Sequence, residues 1–409
     1  LVERSREMYS ASIYKEDFLA AKKLLKPYQE KHDRRAERVI RHLEKCNRIL
    51  LGYKRECENY VVYENIGTLI FALTRLAADL DEYLQKSPDF PERREVNEFY
   101  LNLRNFMNIY ELVDEHYVVY SEHEEDGRFK LKFYCVDPSL NLQERIDKGN
   151  ATIFFSATLL PIQYYKSLLS TRRDNYAVYA QTAFSEEQRL LLFGNDVSSK
   201  YTRRGRAEYE RIALYIEKTA RAKQGNYMVF FPSYRLMQDV YEVFAGKAAD
   251  SCEILMQHSN MKEHEREAFL EEFEHERERT LVAFCVMGGI FGEGIDLKND
   301  RLIGAIIVGT GLPQVSDERE ILKNYYDERG LSGFDYAFRY PGMNKVLQAA
   351  GRVIRTSEDR GVILLLDERF LQREYASLFP REWEKRTICS LPQLREEVSR
   401  FWSDVREEL

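Results

Sequence analysis

Across residues 28–113 apolar positions recur in steps of three and four. Ala36, Val39, Leu43, Cys46, Leu50, Tyr53 and Cys57 form one stripe. Ile66, Ile70, Leu73, Ala77, Leu80 and Leu84 form a second, and Val96, Phe99, Leu103, Phe106, Tyr110 and Val113 a third. That period puts each set on one face of a helix. The breaks between them, which include Pro88 and Pro91, predict long helices packed into a bundle. From Tyr117 the period shortens: 117–120 and 129–136 flank Glu125-Asp126-Gly127, a hairpin pattern. Ile153-Phe154-Phe155 then reads as a short, fully apolar strand. Six further strands are predicted at 190–193, 227–231, 254–256, 281–286, 303–308 and 362–366, with helical patterns at 207–222, 236–244 and 264–273. Short buried strands alternating with amphipathic helices predict an α/β fold with a parallel sheet covered on both faces.

A chain of 409 residues has room for two or three domains. Its net charge of −7 excludes binding of nucleic acid through bulk positive charge, though not through a local basic groove. Such a groove has one candidate: between Lys15 and Arg55 basic residues outnumber acidic ones about two to one. That excess is either a DNA-facing surface or a solvated helix face. The six cysteines show no C-x-x-C pair, and Cys46 and Cys57 sit on the apolar stripe, so core packing is expected of them and no metal site. This usage suits a reducing cytoplasm. No apolar run approaches the roughly 20 residues of a membrane span. The opening Leu-Val-Glu-Arg-Ser is neither a methionine nor a signal peptide, and the expectation is a chain that begins inside a longer protein.

The chemistry concentrates near strand ends, where open parallel sheets bind ligands. Ser156-Ala157-Thr158, Pro232-Ser233-Tyr234-Arg235, Gly288 to Asp296 and Gly309-Thr310-Gly311 each follow a predicted strand. Gly288, Gly289, Gly292 and Gly294 would let backbone amides approach a phosphate closely. Glu293 and Asp296, odd in a plain anion site, suit sugar hydroxyls or a partner arginine. The hydroxyls of Ser233, Tyr234 and Thr310 suit either helix caps or phosphate contacts on a strand of DNA. Finally, Gln348-Ala349-Ala350-Gly351-Arg352-Val353-Ile354-Arg355, read as a helix, sets Gln348, Arg352 and Arg355 on one stripe. Two arginines and a glutamine on one face before a buried strand suit delivery of positive charge to a polyphosphate.

Taken together and in order, Ser-Ala-Thr-Leu (156–159), Val-Phe-Phe-Pro-Ser-Tyr-Arg (229–235), Gly-Glu-Gly-Ile-Asp-Leu (292–297) and Gln-Ala-Ala-Gly-Arg-Val-Ile-Arg (348–355) resemble motifs III, IV, V and VI of superfamily 2 helicases. Ser198-Ser199-Lys200-Tyr201 and the run after Gly309 are similar to the XPD/DinG branch. The resemblance covers most of 150–370. It implies a RecA-like second helicase domain over 181–409, the remainder of the first helicase domain over 114–180, an inserted all-helical arch over 20–113, and the end of the motif II region over 1–19. It implies that Arg352 and Arg355 act as arginine fingers beside Gln348 and Gly351, an effect worth roughly 10³–10⁵-fold in nucleotidases. Ser156, Thr158, Glu293, Gly294 and Asp296 would couple nucleotide to DNA, and Ser233, Tyr234, Arg235 and Thr310 would touch single-stranded DNA.

No G-x-x-x-x-G-K-[ST] occurs, since Gly246-Lys247 is followed by alanine, and Asp114-Glu115-His116 is not a DEAH box. ATP and Mg²⁺ would therefore be held largely by residues upstream of this chain, as would any iron–sulfur cluster. The expectation is the C-terminal part of a monomeric 5′–3′ DNA helicase acting on single-stranded or forked DNA. The competing readings are a DNA- or protein-docking module without motor activity, and an RNA helicase.

Overall fold

A computed structural model of the chain describes residues 1–31, 33–87, 89–248, 251–289, 291, 297 and 299–403, excepting the side chains of 248 and 299. In chain order the elements are α1 (Val2–Met8), β1 (Ala11–Tyr14), α2 (Lys15–Glu30), α3 (Arg34–Glu56), β2 (Tyr60–Tyr63), α4 (Gly67–Lys86), α5 (Arg93–Tyr110), β3 (Tyr117–His123), β4 (Phe129–Cys135), α6 (Ser139–Ile146) and α7 (Ile162–Leu169). There follow β5 (Arg189–Gly194), α8 (Arg206–Ala222), β6 (Asn226–Phe231), α9 (Tyr234–Ala248), β7 (Cys252–Met256), α10 (Glu263–Glu271), β8 (Thr280–Val286), β9 (Gly304–Val308) and α11 (Asp317–Asp327). The chain closes with α12 (Tyr340–Ala350), β10 (Gly361–Leu366), α13 (Arg373–Ala376), β11 (Thr387–Cys389) and α14 (Leu394–Ser403).

Two compact units result. The first comprises Leu1–Phe154, Tyr165–Asn175 and Ser316–Arg329. Its helices bury most of the expected stripes, with Val39, Leu43, Cys46, Leu50, Leu73, Val96 and Phe106 within the core and Tyr110 exposed, and Leu25 of α2 joins the same core. Asp33 caps α3 by accepting hydrogen bonds from the amides of Arg35 and Ala36. One break between the helical stripes is a strand: β2 joins an antiparallel sheet in the order β1-β4-β3-β2. The hairpin between β3 and β4 turns where the pattern placed it, with Gly127 at φ +82°. Phe106 of α5 stacks on Phe133 of β4 at 4.2 Å between centroids, so helices and sheet share one core. Arg6, 1% exposed, donates to the carbonyl of Val136 at 2.8 Å and to the hydroxyl of Tyr326, tying α1 and α11 to this core.

The second unit comprises Phe155–Tyr164, Tyr176–Val315 and Gly330–Leu409. Its seven strands are all parallel, in the order β11-β5-β10-β9-β6-β8-β7. Side chains alternate between two cores. Leu192, Val229, Phe231, Phe284 and Leu364 meet α8, α9 and α14 on one face. Leu191, Phe230, Cys285, Ile307 and Ile363 meet α12 on the other. Burial on both faces explains why these strands read as unbroken apolar runs. All six cysteines are buried and unbridged.

Two expectations are corrected. Ile153-Phe154-Phe155 is not a strand: it lacks regular structure, and Ile153 and Phe155 are 82% and 90% exposed. Apolar pattern reports a demand for burial, and no described strand pairs with this segment to meet it. The second correction falls on residues 348–355, where α12 stops at Ala350.

Candidate nucleotide- and DNA-facing site

The carboxyl ends of the parallel strands in the second unit are stitched together by polar side chains. After β5, the amide and hydroxyl of Ser199 both donate to Oδ2 of Asp367, at 2.8 and 2.7 Å. Asp367 follows β10 and also accepts from Nε and Nη2 of Arg369. Burial pushes the Asp367 carboxyl up, but Arg369 and Ser199 outweigh it and hold the group below its ordinary range. Lys200 and Arg203 pair with the neighbouring Glu368. Gly309, which ends β9 at φ +81°, lies so close that an added Cβ would sit 2.4 Å from the Ser199 hydroxyl. Only glycine permits that approach.

A second bracket links β6, β7 and β8. Gln257, 2% exposed, accepts from the amide of Val286 at 2.9 Å and donates to the Tyr234 hydroxyl at 2.9 Å. Gly289 packs against the same glutamine, its Cβ position 3.2 Å from Nε2. Gly288, at φ +70°, lies under the aliphatic chain of Lys345. Nothing in the sequence marks Gln257; a lone glutamine between a strand and a loop has no pattern to find it by.

Gln348 is half-buried on the last turn of α12. The chain then turns at Gly351 and Arg352, so Arg352 and Arg355 do not continue the helical stripe. The reason is a competing turn. The carboxylate of Asp359, 3% exposed, accepts from the amides of Arg355 and Thr356 at 2.6 and 2.7 Å and from the Thr356 hydroxyl at 2.9 Å. Gln188 donates to the carbonyls of Thr356, Ser357 and Asp359. These bonds offer the backbone an alternative to helix. Arg352 is 4% exposed, and its charge is felt by the buried Cys285 thiol of β8, which burial nonetheless pushes up. Arg355 instead points its exposed side chain from a braced backbone. The turn fixes the backbone at Arg355 and leaves its guanidinium at the surface, where a cation can meet a phosphate.

The remaining candidates fall variously. Ser233 caps α9, its hydroxyl accepting from the amide of Leu236. Tyr234 and Arg235 beside it are exposed. Ser156 is exposed, and its hydroxyl lies 3.2 Å from that of the half-buried Thr158. Thr310 is 1% exposed with its hydroxyl unpartnered among the described residues, so it offers no surface to a strand in this conformation. Glu293, Gly294 and Asp296 lie outside the described residues. Among the described residues no cluster of His, Cys, Asp and Glu is placed to hold a metal, and no helix is long and apolar enough to cross a membrane.

Residues 216–386, which take in most of this parallel sheet and the arginine turn, match the family model of the helicase C-terminal domain. The chain is similar to the ATP-dependent DNA helicase XPD of Sulfolobus acidocaldarius, with 26% identity over 81% of this chain and 57% of that protein. It is also similar to the ATP-dependent DNA helicase CHL1 of Coccidioides immitis, with 23% identity over 78% of this chain and 42% of that one. It thus spans about half the length of these relatives. Among solved structures, the S. tokodaii Xpd4 structure covers 95% of this chain and is itself covered over 74%, at a TM-score of 0.60 and 15% identity. An XPD helicase structure matches with a TM-score of 0.56 and 19% identity, over 95% of this chain and 66% of the other. At such identities these structures bear out the fold.

Proposed function

We propose that the chain is the C-terminal part of an ATP-dependent DNA helicase of the XPD/DinG type, coupling ATP hydrolysis to 5′–3′ movement along single-stranded or forked DNA. The observation that carries this reading is the braced turn at 351–359 between α12 and β10, which holds the backbone at Arg355 and leaves its side chain exposed within the residues that match a helicase C-terminal domain. In the proposed protein residues 181–409 form the second motor domain, 114–180 belong to the first, and 20–113 form the inserted arch. The motor works as a monomer in the cytoplasm.

ATP with Mg²⁺, when bound, supplies a phosphoanhydride whose hydrolysis drives the motor. Residues of this chain fit only one side of such a ligand: Arg355 offers an exposed cation, Gln348 a half-buried amide and Arg352 a cation that is buried in this conformation, while no phosphate-cradling lysine motif occurs in the 409 residues. The cradle, the magnesium carboxylate and any iron–sulfur cluster are assigned to residues outside this chain. The exposed Ile153 and Phe155 support this, since an apolar tripeptide that pairs with no described strand suits the edge of a further sheet. Ser233 serves the fold as a helix cap, and Tyr234 and Arg235 carry the DNA contact at that loop.

The test is ATP hydrolysis by a longer protein containing this chain, with and without single-stranded DNA. Hydrolysis stimulated by DNA, and reduced roughly 10³-fold by Arg355→Ala, is expected. The 409-residue chain by itself is expected to hydrolyse no ATP. Unstimulated hydrolysis, or an indifferent Arg355→Ala variant, would sink the motor assignment.

A further inference from the structure

The proposed motor leaves unexplained a stripe of charge on the helical unit. Arg34, Arg38, Arg41, Lys45 and Arg48 follow one another along α3 in steps of four and three, and all are exposed. At 1.5 Å per residue the stripe runs about 21 Å, with a charge roughly every 5 Å. The opposite face of α3 is the buried one, carrying Val39, Leu43, Cys46 and Leu50, so the stripe is what this helix shows to solvent.

Neighbouring carboxylates leave most of it uncompensated. Glu82 of α4 takes Arg38 at 2.6 Å and Lys86 at 3.1 Å; Asp79 takes His42, and Glu44 takes Lys22. Among the described residues no carboxylate pairs with Arg34, Arg41, Lys45 or Arg48, nor with Arg75 of α4. The Arg38–Glu82 and His42–Asp79 contacts also fix how α4 lies along α3. That register brings a large aromatic into line with the charges: Phe71, 55% exposed, has Arg75 at 4.3 Å and Lys45 at 5.8 Å from its ring centroid.

We propose that this stripe is a second binding site for single-stranded nucleic acid, with phosphates along Arg41, Lys45 and Arg48 and a base on Phe71. Evenly spaced cations that track a backbone, with an aromatic ring among them, are what sequence-tolerant binding of single strands requires. The alternatives fit less well. A protein interface needs an apolar centre inside a polar rim, and one ring in a row of cations supplies none. A membrane-surface helix needs a free apolar face, and that of α3 is buried. The site requires no nucleotide and stands apart from the hydrolysis reading.

The experiment is fluorescence anisotropy of a labelled oligothymidylate with the 409-residue chain across a salt series. Each phosphate contact on a single strand contributes about 0.7 to the slope of log affinity against log salt, so Arg41→Glu, Lys45→Glu and Arg48→Glu together should lower that slope by about two. Phe71→Ala should weaken binding about tenfold while leaving the slope unchanged, and Phe71→Tyr should restore most of it. As a measurement independent of any variant's folding, the wild-type chain is crosslinked in parallel to an oligonucleotide bearing 4-thiothymidine, with crosslinks expected on the α3 and α4 peptides. Unchanged slope and affinity in a folded triple variant, or wild-type crosslinks confined to peptides beyond residue 176, overturn the proposal, even if an acidic protein proves to need the stripe. Loss here with intact DNA-stimulated hydrolysis, or the reverse, separates this site from the motor.

Discussion

The chain deploys arginine in two opposite ways. On α3 the guanidinium groups stand on regular helix, spaced by its period and open to water. At the end of α12 the helix is abandoned: Arg352 is buried, and the backbone at Arg355 is held by Asp359 and Gln188. A helix is the cheaper way to line up charge, because its backbone bonds are satisfied internally. The turn at 351–359 costs that ladder and recovers the bonds from two side chains. The difference teaches where position matters. On the two proposed roles the contrast has a reason: a strand of nucleic acid tolerates long, mobile side chains along its phosphates, whereas a single γ-phosphate needs its cation in one place.

If that contrast holds, damage to the bracing should be far costlier than damage to the stripe. The largest effect is expected at Asp367, whose removal leaves the half-buried Arg369 unpaired beside Ser199. Asp367→Asn should destabilise the parallel-sheet unit by about 3–5 kcal/mol near neutral pH. Both tryptophans, Trp383 and Trp402, belong to that unit, so their fluorescence in a urea titration reads it alone. The pH dependence has a definite sign. The folded carboxyl is held below its ordinary range, so its contribution is fully present above the unfolded value of about 3.9 and is lost as pH falls through the lower folded value. The gap between wild type and Asp367→Asn should therefore close only in strong acid. A gap that closes near pH 6 would contradict the assignment.

Asp359→Ala comes next. It strips three short hydrogen bonds from the turn and should cost about 2–3 kcal/mol. Its diagnostic readout is hydrolysis in the longer protein, which should fall although both arginines remain. A variant that loses stability but keeps hydrolysis would show that Arg355 needs no brace.

Much of this was legible in the sequence, for reasons particular to the residues. The strands from 190 to 366 announced themselves because both faces are buried, which forces unbroken apolar runs such as 227–231 and 362–366. The helical stripes of the first unit were equally plain. The end of α12 was not, since Val353 and Ile354 continue an apolar pattern past the point where Asp359, four residues beyond Arg355, takes over the backbone. Gln188 and Gln257 escaped notice because a bracketing glutamine acts through long-range partners that no local period reveals. At Ile153–Phe155 the pattern was read correctly as apolar and wrongly as a strand. Periodicity names a need and is silent about its partner.

The smaller effects sharpen the contrast from both ends. Gln188→Ala removes neutral bonds from one side chain to three carbonyls at a partly exposed site, so about 1–2 kcal/mol is expected by the same fluorescence titration. Arg41→Ala with Arg48→Ala should change unfolding, followed by circular dichroism of the helical unit, by no more than about 0.5 kcal/mol. Neither side chain has a carboxylate partner among the described residues, and both stand on the exposed face of a helix whose other face is fully packed. Relieving repulsion along the stripe should even leave the double variant slightly more stable at low salt, with the advantage vanishing as salt screens it. A loss above 1 kcal/mol would mean that the cations serve the bundle, and would erase the difference between the two uses of arginine. A small gain that salt removes would mark the stripe as charge kept at the expense of stability, which residues held for a ligand should show.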